Sequence, residues 1–383
     1  MRISQIMRAS APPRLLHVFS TFAMGGPQRR FIQIANAFGP RFQHVILSMD
    51  GRTDAAKQLA SDVLFSIHSL PLRKGSGFSW GNFRSITRTL RELRPHLLMT
   101  YNWGAMEWLL ANRLLRAAPH LHFEDGFGPE EAMGKQLPRR VWTRRLGIGG
   151  RTAVMVPSRT LERIALDVWR LPERRLRYVP NGIELERFAS ARPMPLPFQP
   201  GQIVIGSVGA LRGEKNLLRL LRLLDSLQDL PVSLAIFGDG PERARLETAT
   251  QQMGLKDRVY FAGHCADPAS AYAAFDLFAL TSDTEQMPYS VIEAMAAGLP
   301  VVATDVGDVR AMLATEFADQ CIAAADDEVG LAARLRILLE DKKARTEIGL
   351  ANQSHARAHF GIDAMLEAYD RLFSERIAGM ATV

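Results

Sequence analysis

The chain has 383 residues, 47% hydrophobic and 23% charged, which is too long for one ordinary core and sets two globular domains as the expectation. No apolar run approaches the roughly 20 residues a membrane span requires, and two cysteines, Cys265 and Cys321, make neither a disulfide framework nor a metal site. The net charge of +7 is uneven: residues 1–190 hold 29 Lys and Arg against 14 Asp and Glu, a balance of +15, whereas the remainder holds 18 against 26, a balance of −8.

Arg2 and Arg8 precede only a short, polar-interrupted apolar stretch, so no secretory leader is expected, and the unpaired cysteines fit a reducing cytosol. The run at 15–19 reads as a first strand, followed by Gly25-Gly26 and a helix from about Gln28 to Phe38. Strands are predicted at 44–48, 64–68, 96–100 and 120–124, with helices over 82–93 and 104–116 between them. A glycine-broken loop follows at 125–134, then helix 158–168 and strand 176–179. Arg139-Arg140 and Arg144-Arg145 bracket Val141-Trp142, a cluster suited to an anionic membrane surface. No recognised nucleic-acid motif is present and few aromatics interleave the cations, so a nucleic-acid partner is not expected.

Pro193, Pro195, Pro197 and Pro200 give 191–201 the composition of a linker, separating a domain at 1–190 from one at 202–360. The second half restarts with strand 203–208, a loop at 209–215 and a helix over 216–227. Strand 232–237 leads to Gly238-Asp239-Gly240-Pro241 and a helix opening near Glu242. Strand 258–261, helix 268–275 and strand 276–280 follow. Alternating strands and helices in both halves argue for an α/β protein: two Rossmann-like domains with parallel sheets facing a cleft, ligands lying beyond the carboxyl ends of the strands.

Residues 283–305 carry the most chemistry. Glu285 and Glu293 stand eight residues apart across a loop that feeds a helix, which ends at Gly298 before Pro300 and the apolar run Val301-Val302-Ala303. A loop-to-helix junction offers backbone N–H groups and a positive dipole end to a diphosphate, and flanking carboxylates can accept hydrogen bonds from sugar or ribose hydroxyls.

Glu285 and Glu293, coupled to EAMAAGLPVVATDVGD at 293–308, resemble the E-x7-E signature of family-4 retaining glycosyltransferases with a GT-B fold, the group-1 glycosyl transferases. The likeness runs from Gly25-Gly26 through Pro180-Asn181-Gly182 to Asp305. It implies transfer of a sugar from a nucleotide-sugar donor to a hydroxyl acceptor with retention at the anomeric carbon. Glu285 then contacts the donor sugar, Glu293 the ribose, and the Gln286-Met287-Pro288-Tyr289-Ser290 backbone the sugar and diphosphate. Gly26 faces the donor phosphates and His264 lies beside the nucleotide base. Relatives commonly place arginine directly after the glycine of the 209–216 loop and lysine five residues on; here those positions are Ala210 and Lys215, with Arg212 as a substitute cation for the leaving diphosphate.

Asp125 stands where many relatives carry a histidine near the reacting sugar, and a carboxylate there can orient the acceptor hydroxyl or take its proton. His122, inside an apolar run, reads as a core histidine. In this fold the helix at 362–377 crosses back onto the first domain. No cofactor is expected, and no Asp-x-Asp pair is present, so metal independence is expected. The basic first domain makes a lipid-linked or glycan acceptor in cell-envelope assembly the expectation, with the protein cytoplasmic or peripheral on the inner face of the membrane. Another GT-B chemistry (sugar-nucleotide epimerase or phosphorylase), a non-catalytic nucleotide-sugar-binding protein and a nucleic-acid-binding module are the alternatives.

Overall fold

A computed structural model describes residues 11–70, 72, 79–127, 131, 136–265 and 267–378. Arg2, Arg8, Gly128 and most of the loop at 125–134 lie outside the described residues. The first unit runs β1 (Arg14–Phe19), α1 (Gly26–Phe38), β2 (Gln43–Ser48), β3 (Leu64–His68), α2 (Trp80–Leu93), β4 (Leu97–Tyr101), α3 (Met106–Leu115), β5 (His120–Phe123), α4 (Pro138–Gly147), β6 (Thr152–Val156), α5 (Arg159–Asp167) and β7 (Leu176–Tyr178). The second begins with α6 (Leu185–Ala189), β8 (Ile203–Val208), α7 (Leu217–Asp225), β9 (Val232–Phe237), α8 (Arg243–Gln252), β10 (Val259–Gly263), α9 (Pro268–Tyr272) and β11 (Leu277–Leu280). It continues through α10 (Tyr289–Ala296), β12 (Val301–Thr304), α11 (Val309–Met312), α12 (Ala318–Cys321), β13 (Ile322–Ala323), α13 (Glu328–Glu340) and α14 (Lys342–His359), and α15 (Ile362–Ala378) closes the chain.

Both sheets are parallel, in the orders β3-β2-β1-β4-β5-β6-β7 and β10-β9-β8-β11-β12-β13. Strand order reverses at β1/β4 and at β8/β11, and each reversal opens a crevice at the carboxyl ends of the strands. The central strands are continuous apolar runs because helices cover both faces of each sheet there, whereas the edge strand β3 leaves Leu64, Phe65 and Ile67 exposed. Helix starts are chemically marked: Ser79, Ser158, Asn216, Asp327 and Asp341 each accept a first-turn N–H of α2, α5, α7, α13 and α14. Helix α10 ends as its sequence requires, with Gly298 in the left-handed region at φ +76°.

The chain changes units at Ile183, ahead of the proline-rich stretch that composition marks as a linker. Ile183 pairs with Gly361, so the outgoing and returning strands cross side by side. Phe188 belongs to the second core, and Met194, Leu196 and Phe198 pack against it. Apolar side chains between the prolines therefore lay 191–201 along the second unit. Helix α15 returns to the first unit, placing Met365, Tyr369, Leu372 and Phe373 in the core with Phe31 and Phe123. Burial of such side chains is worth about 1.5–3 kcal/mol each.

β6, α4, α6 and the elements between 309 and 359 were not read from the sequence: β6 is a five-residue apolar run bracketed by Gly149-Gly150 and Pro157, and α4 is dominated by arginines, with Pro138 at its start the available sign. The Arg139–Arg145 cluster is also split by the fold. Arg144 is fully buried, ion-paired to Glu124 at 2.8 Å with its guanidinium 4.7 Å from the Trp169 ring, and Arg140 pairs with Glu131 at 3.0 Å. The local helical period turns these two inward, leaving Trp142 and Arg145 on the surface.

His17, His44 and His120 are buried in the first unit, His17 bridging Tyr101 and His44 at 3.1 and 3.0 Å and His120 lying 2.8 Å from Thr100. Burial lowers all three pKa values, that of His44 to about 4. Unfolded histidine takes up its proton near the ordinary value of about 6.5, so protons favour the unfolded chain between that pH and the folded values. Urea midpoints are expected to be flat above pH 6.5 and to fall as pH drops toward 4, at up to about 1.4 kcal/mol per pH unit for each histidine. A midpoint unchanged between pH 7.5 and 5 would contradict neutral burial.

Candidate active site

The loop after β8 is held by polar contacts on both sides. Asn216, in the left-handed region at φ +43°, caps α7 and donates to Asp283 at 3.0 Å, while Arg219 donates to the Thr281 carbonyl at 2.7 Å and to Asp283 at 2.9 Å. This frame delivers Lys215 to the loop after β11, where its Nζ lies 2.5 Å from Glu285 Oε1 and Ser282 Oγ donates to the same oxygen at 2.8 Å. Glycine is required behind it: Gly238 has φ +138°, and a Cβ there would overlap the Gly209 carbonyl oxygen. The 209–211 and 238–240 turns thus meet backbone to backbone.

Pro288 then starts α10, whose first residues Tyr289 and Ser290 turn their N–H groups toward the carboxyl ends of the strands. Glu293, one turn on and 2% exposed, accepts from Tyr272 Oη at 2.8 Å and ion-pairs with Arg29 of the first unit. Burial, and next to it Glu293, raises the Tyr272 pKa well above its ordinary value, so the phenol remains a donor. Arg29 also lies over the Tyr289 ring at 4.6 Å. Beyond β12, Asp308 receives the N–H groups of Arg159 and Thr160 at 2.6 and 2.9 Å, so a carboxylate of the second unit caps α5 of the first.

Further contacts cross the cleft from the 285–290 segment. Ser158 Oγ donates to Gln286 Oε1 at 3.0 Å, Asn181 Nδ2 to the Met287 carbonyl at 2.9 Å, and Tyr289 Oη to Gln33 Oε1 at 3.3 Å. Gly26 opens α1, and the space its missing Cβ would occupy is open, so a ligand can approach that backbone. Asp125 follows β5; its N–H is held by Asn102 Oδ1 at 2.7 Å, and one carboxylate oxygen is ion-paired to the buried Arg30, which also donates to Asn181 at 3.2 Å. The pair ties Asp125 to α1 and keeps a guanidinium on the carboxylate that the sequence offers as a base. His122 is fully buried between Thr100 and Glu124.

Lys215, Glu285, the 286–290 segment and Glu293 are thus gathered at the carboxyl end of the second sheet, with Gly26 and Asp125 across from them. Among the described residues, nothing ties Arg212 or His264 to that cluster. The Arg212 side chain is 56% exposed with Glu214 at 4.0 Å, and His264 is exposed on the turn after β10. Three residues of one helix, Arg29, Arg30 and Gln33, supply the cross-cleft partners of Glu293, Asp125 and Tyr289 and were not read from the sequence. Their clustering just after Gly25-Gly26 was the available signal.

Comparison with known proteins agrees with this architecture. Residues 24–187 match the family model Glycosyltransferase Family 4, and residues 193–355 match Glycosyl transferases group 1. The chain is 29% identical over 200 residues to the lipopolysaccharide core biosynthesis glycosyltransferase LpsD of Rhizobium meliloti, covering 51% of this chain and 57% of that one. It is 38% identical over 137 residues to a GDP-mannose-dependent alpha-mannosyltransferase of Mycobacterium tuberculosis, covering 35% and 34%. These matches span about a third to just over half of each relative. In fold it is similar to Anabaena HepE crystallised with UDP, with a TM-score of 0.74, 17% identity and coverage of 95% and 100%. With both halves matched and both parallel sheets in place, the chain belongs to the family-4, group-1 glycosyltransferases of GT-B fold.

Proposed function

We propose that the chain transfers a sugar from a nucleotide-sugar donor to a hydroxyl acceptor with retention at the anomeric carbon. The observation that carries this is the convergence of Lys215–Glu285, the N-terminus of α10 and Glu293 at one strand edge, facing the open side of Gly26. An anionic diphosphate fits the helix end and the ammonium, and hydroxyls fit the two carboxylates. The glycosidic bond breaks with its electron pair passing to the β-phosphate oxygen, the acceptor oxygen bonds to the anomeric carbon from the same face, and its proton goes to the departing phosphate. Closure across the cleft excludes water and limits hydrolysis. The test is a calorimetric panel of nucleotide sugars, followed by NMR of the product anomer. No saturable donor binding would end the transferase reading, and an inverted product would end the retaining one.

A lipid-linked or glycan acceptor, with the protein peripheral on the cytoplasmic face of the membrane, is supported by surface chemistry. Helix α3 packs between α2 and α4, and this side of the first unit exposes Trp80, Leu114, Trp142 and Leu146 beside Arg84, Arg88, Arg91, Arg139 and Arg145. Among the described residues no helix is long and apolar enough to cross a membrane, so attachment would be by this face. Binding to phosphatidylglycerol vesicles is expected at low salt and not to phosphatidylcholine, and Arg145→Glu is expected to weaken it by about 1 kcal/mol or more. Binding to neither vesicle would remove the membrane from the reading, and equal partition into both would remove anionic lipid as its target.

A further inference from the structure

We propose that Arg29, from the first unit, supplies the second cation of the leaving-diphosphate site, the position left vacant at Ala210. The inference rests on the transferase reading. The loop after β8 brings Lys215 into the cluster, while Arg212 stays on the surface with Glu214. Across the cleft, two neighbouring arginines are used differently. Arg30 is 3% exposed and committed to Asp125 and Asn181, whereas Arg29 is 31% exposed, stacked over Tyr289 at the first residue of α10 and ion-paired to Glu293.

Arg29 therefore stands where two helix starts meet, that of α1 at Gly26 and that of α10 at Tyr289, the backbone that receives the diphosphate in the proposed reading. When ribose hydroxyls engage the Glu293 carboxylate, the guanidinium is beside the phosphates and can turn to them with its remaining N–H donors. As the anomeric C–O bond breaks, charge on the β-phosphate oxygen is met by Lys215 from one unit and Arg29 from the other. The proton of the acceptor hydroxyl ends on that same phosphate. Because the two cations come from opposite units, the charge is fully compensated only with the cleft closed, which couples closure to bond cleavage.

The test compares UDP, GDP, ADP and dTDP with their nucleosides by calorimetry on wild type, Arg29→Ala and Arg29→Lys. Arg29→Ala is expected to weaken the diphosphate that binds wild type about tenfold or more, to leave its nucleoside within about twofold, and to be partly recovered by Arg29→Lys. Equal loss for diphosphate and nucleoside would overturn the proposal, since Arg29 would then act only through Glu293. No loss in a variant that melts with wild type would overturn it too. If Arg29→Ala does not fold, Arg29→Lys decides: it must weaken the diphosphate selectively, and an unselective or absent effect sinks the proposal. Wild type binding none of the eight compounds would instead overturn the transferase reading itself.

Discussion

Replacing Lys215 by alanine is expected to lower turnover about 10²–10³-fold while changing donor affinity far less. The ammonium is 2.5 Å from Glu285 on a loop fixed by Asn216, Asp283 and Arg219, so it is placed before substrate arrives. Its attraction for phosphate grows as the glycosidic bond breaks, so the loss falls on the transition state and appears in kcat. Glu285, 10% exposed, would keep Ser282 as a partner, and Lys215→Arg is expected to restore part of the rate. Steady-state kinetics against saturating donor check this; kcat within about threefold of wild type would remove Lys215 from the leaving-group role.

Glu293→Ala is expected to weaken donor binding by about 1.5–3 kcal/mol, the range for hydrogen bonds to a charged group. The carboxylate is almost wholly buried and preorganised by Tyr272 and Arg29, so ribose hydroxyls meet an acceptor that pays little to be oriented. The loss should be the same for a nucleoside as for its diphosphate, the opposite of the selectivity expected for Arg29. Glu293→Gln keeps an acceptor for Tyr272 and separates lost charge from lost packing. Calorimetry on both variants reads the outcome, and wild-type affinity in either would place the ribose elsewhere.

Much of the fold was legible because its signals are local. Apolar strands alternate with helices in both halves, and Gly298-Leu299-Pro300 punctuates the helix after Glu293. Parallel order and the right-handed crossover follow from βαβ units, which leave few topologies open. β6 was passed over although Gly149-Gly150 and Pro157 bracket it, and α4 hides two inward-facing cations in an outward-looking pattern. The prolines at 193–200 report a stiff chain and not which core its apolar side chains join: Met194, Leu196 and Phe198 pack against the second.

The sequence by itself determined the class of fold and the spacing that sets Glu285 and Glu293 on either side of a helix start. Each depends on residues close along the chain, where period, turn chemistry and caps act. Only the tertiary structure decided the partners. Arg29 meets Glu293, Arg30 meets Asp125, Asp308 caps α5, and Arg144 is buried against Glu124, over chain separations from 20 to 264 residues. Such pairings are set when two cores dock and desolvate the groups between them, and a charged side chain carries no local mark of the partner that will compensate its burial.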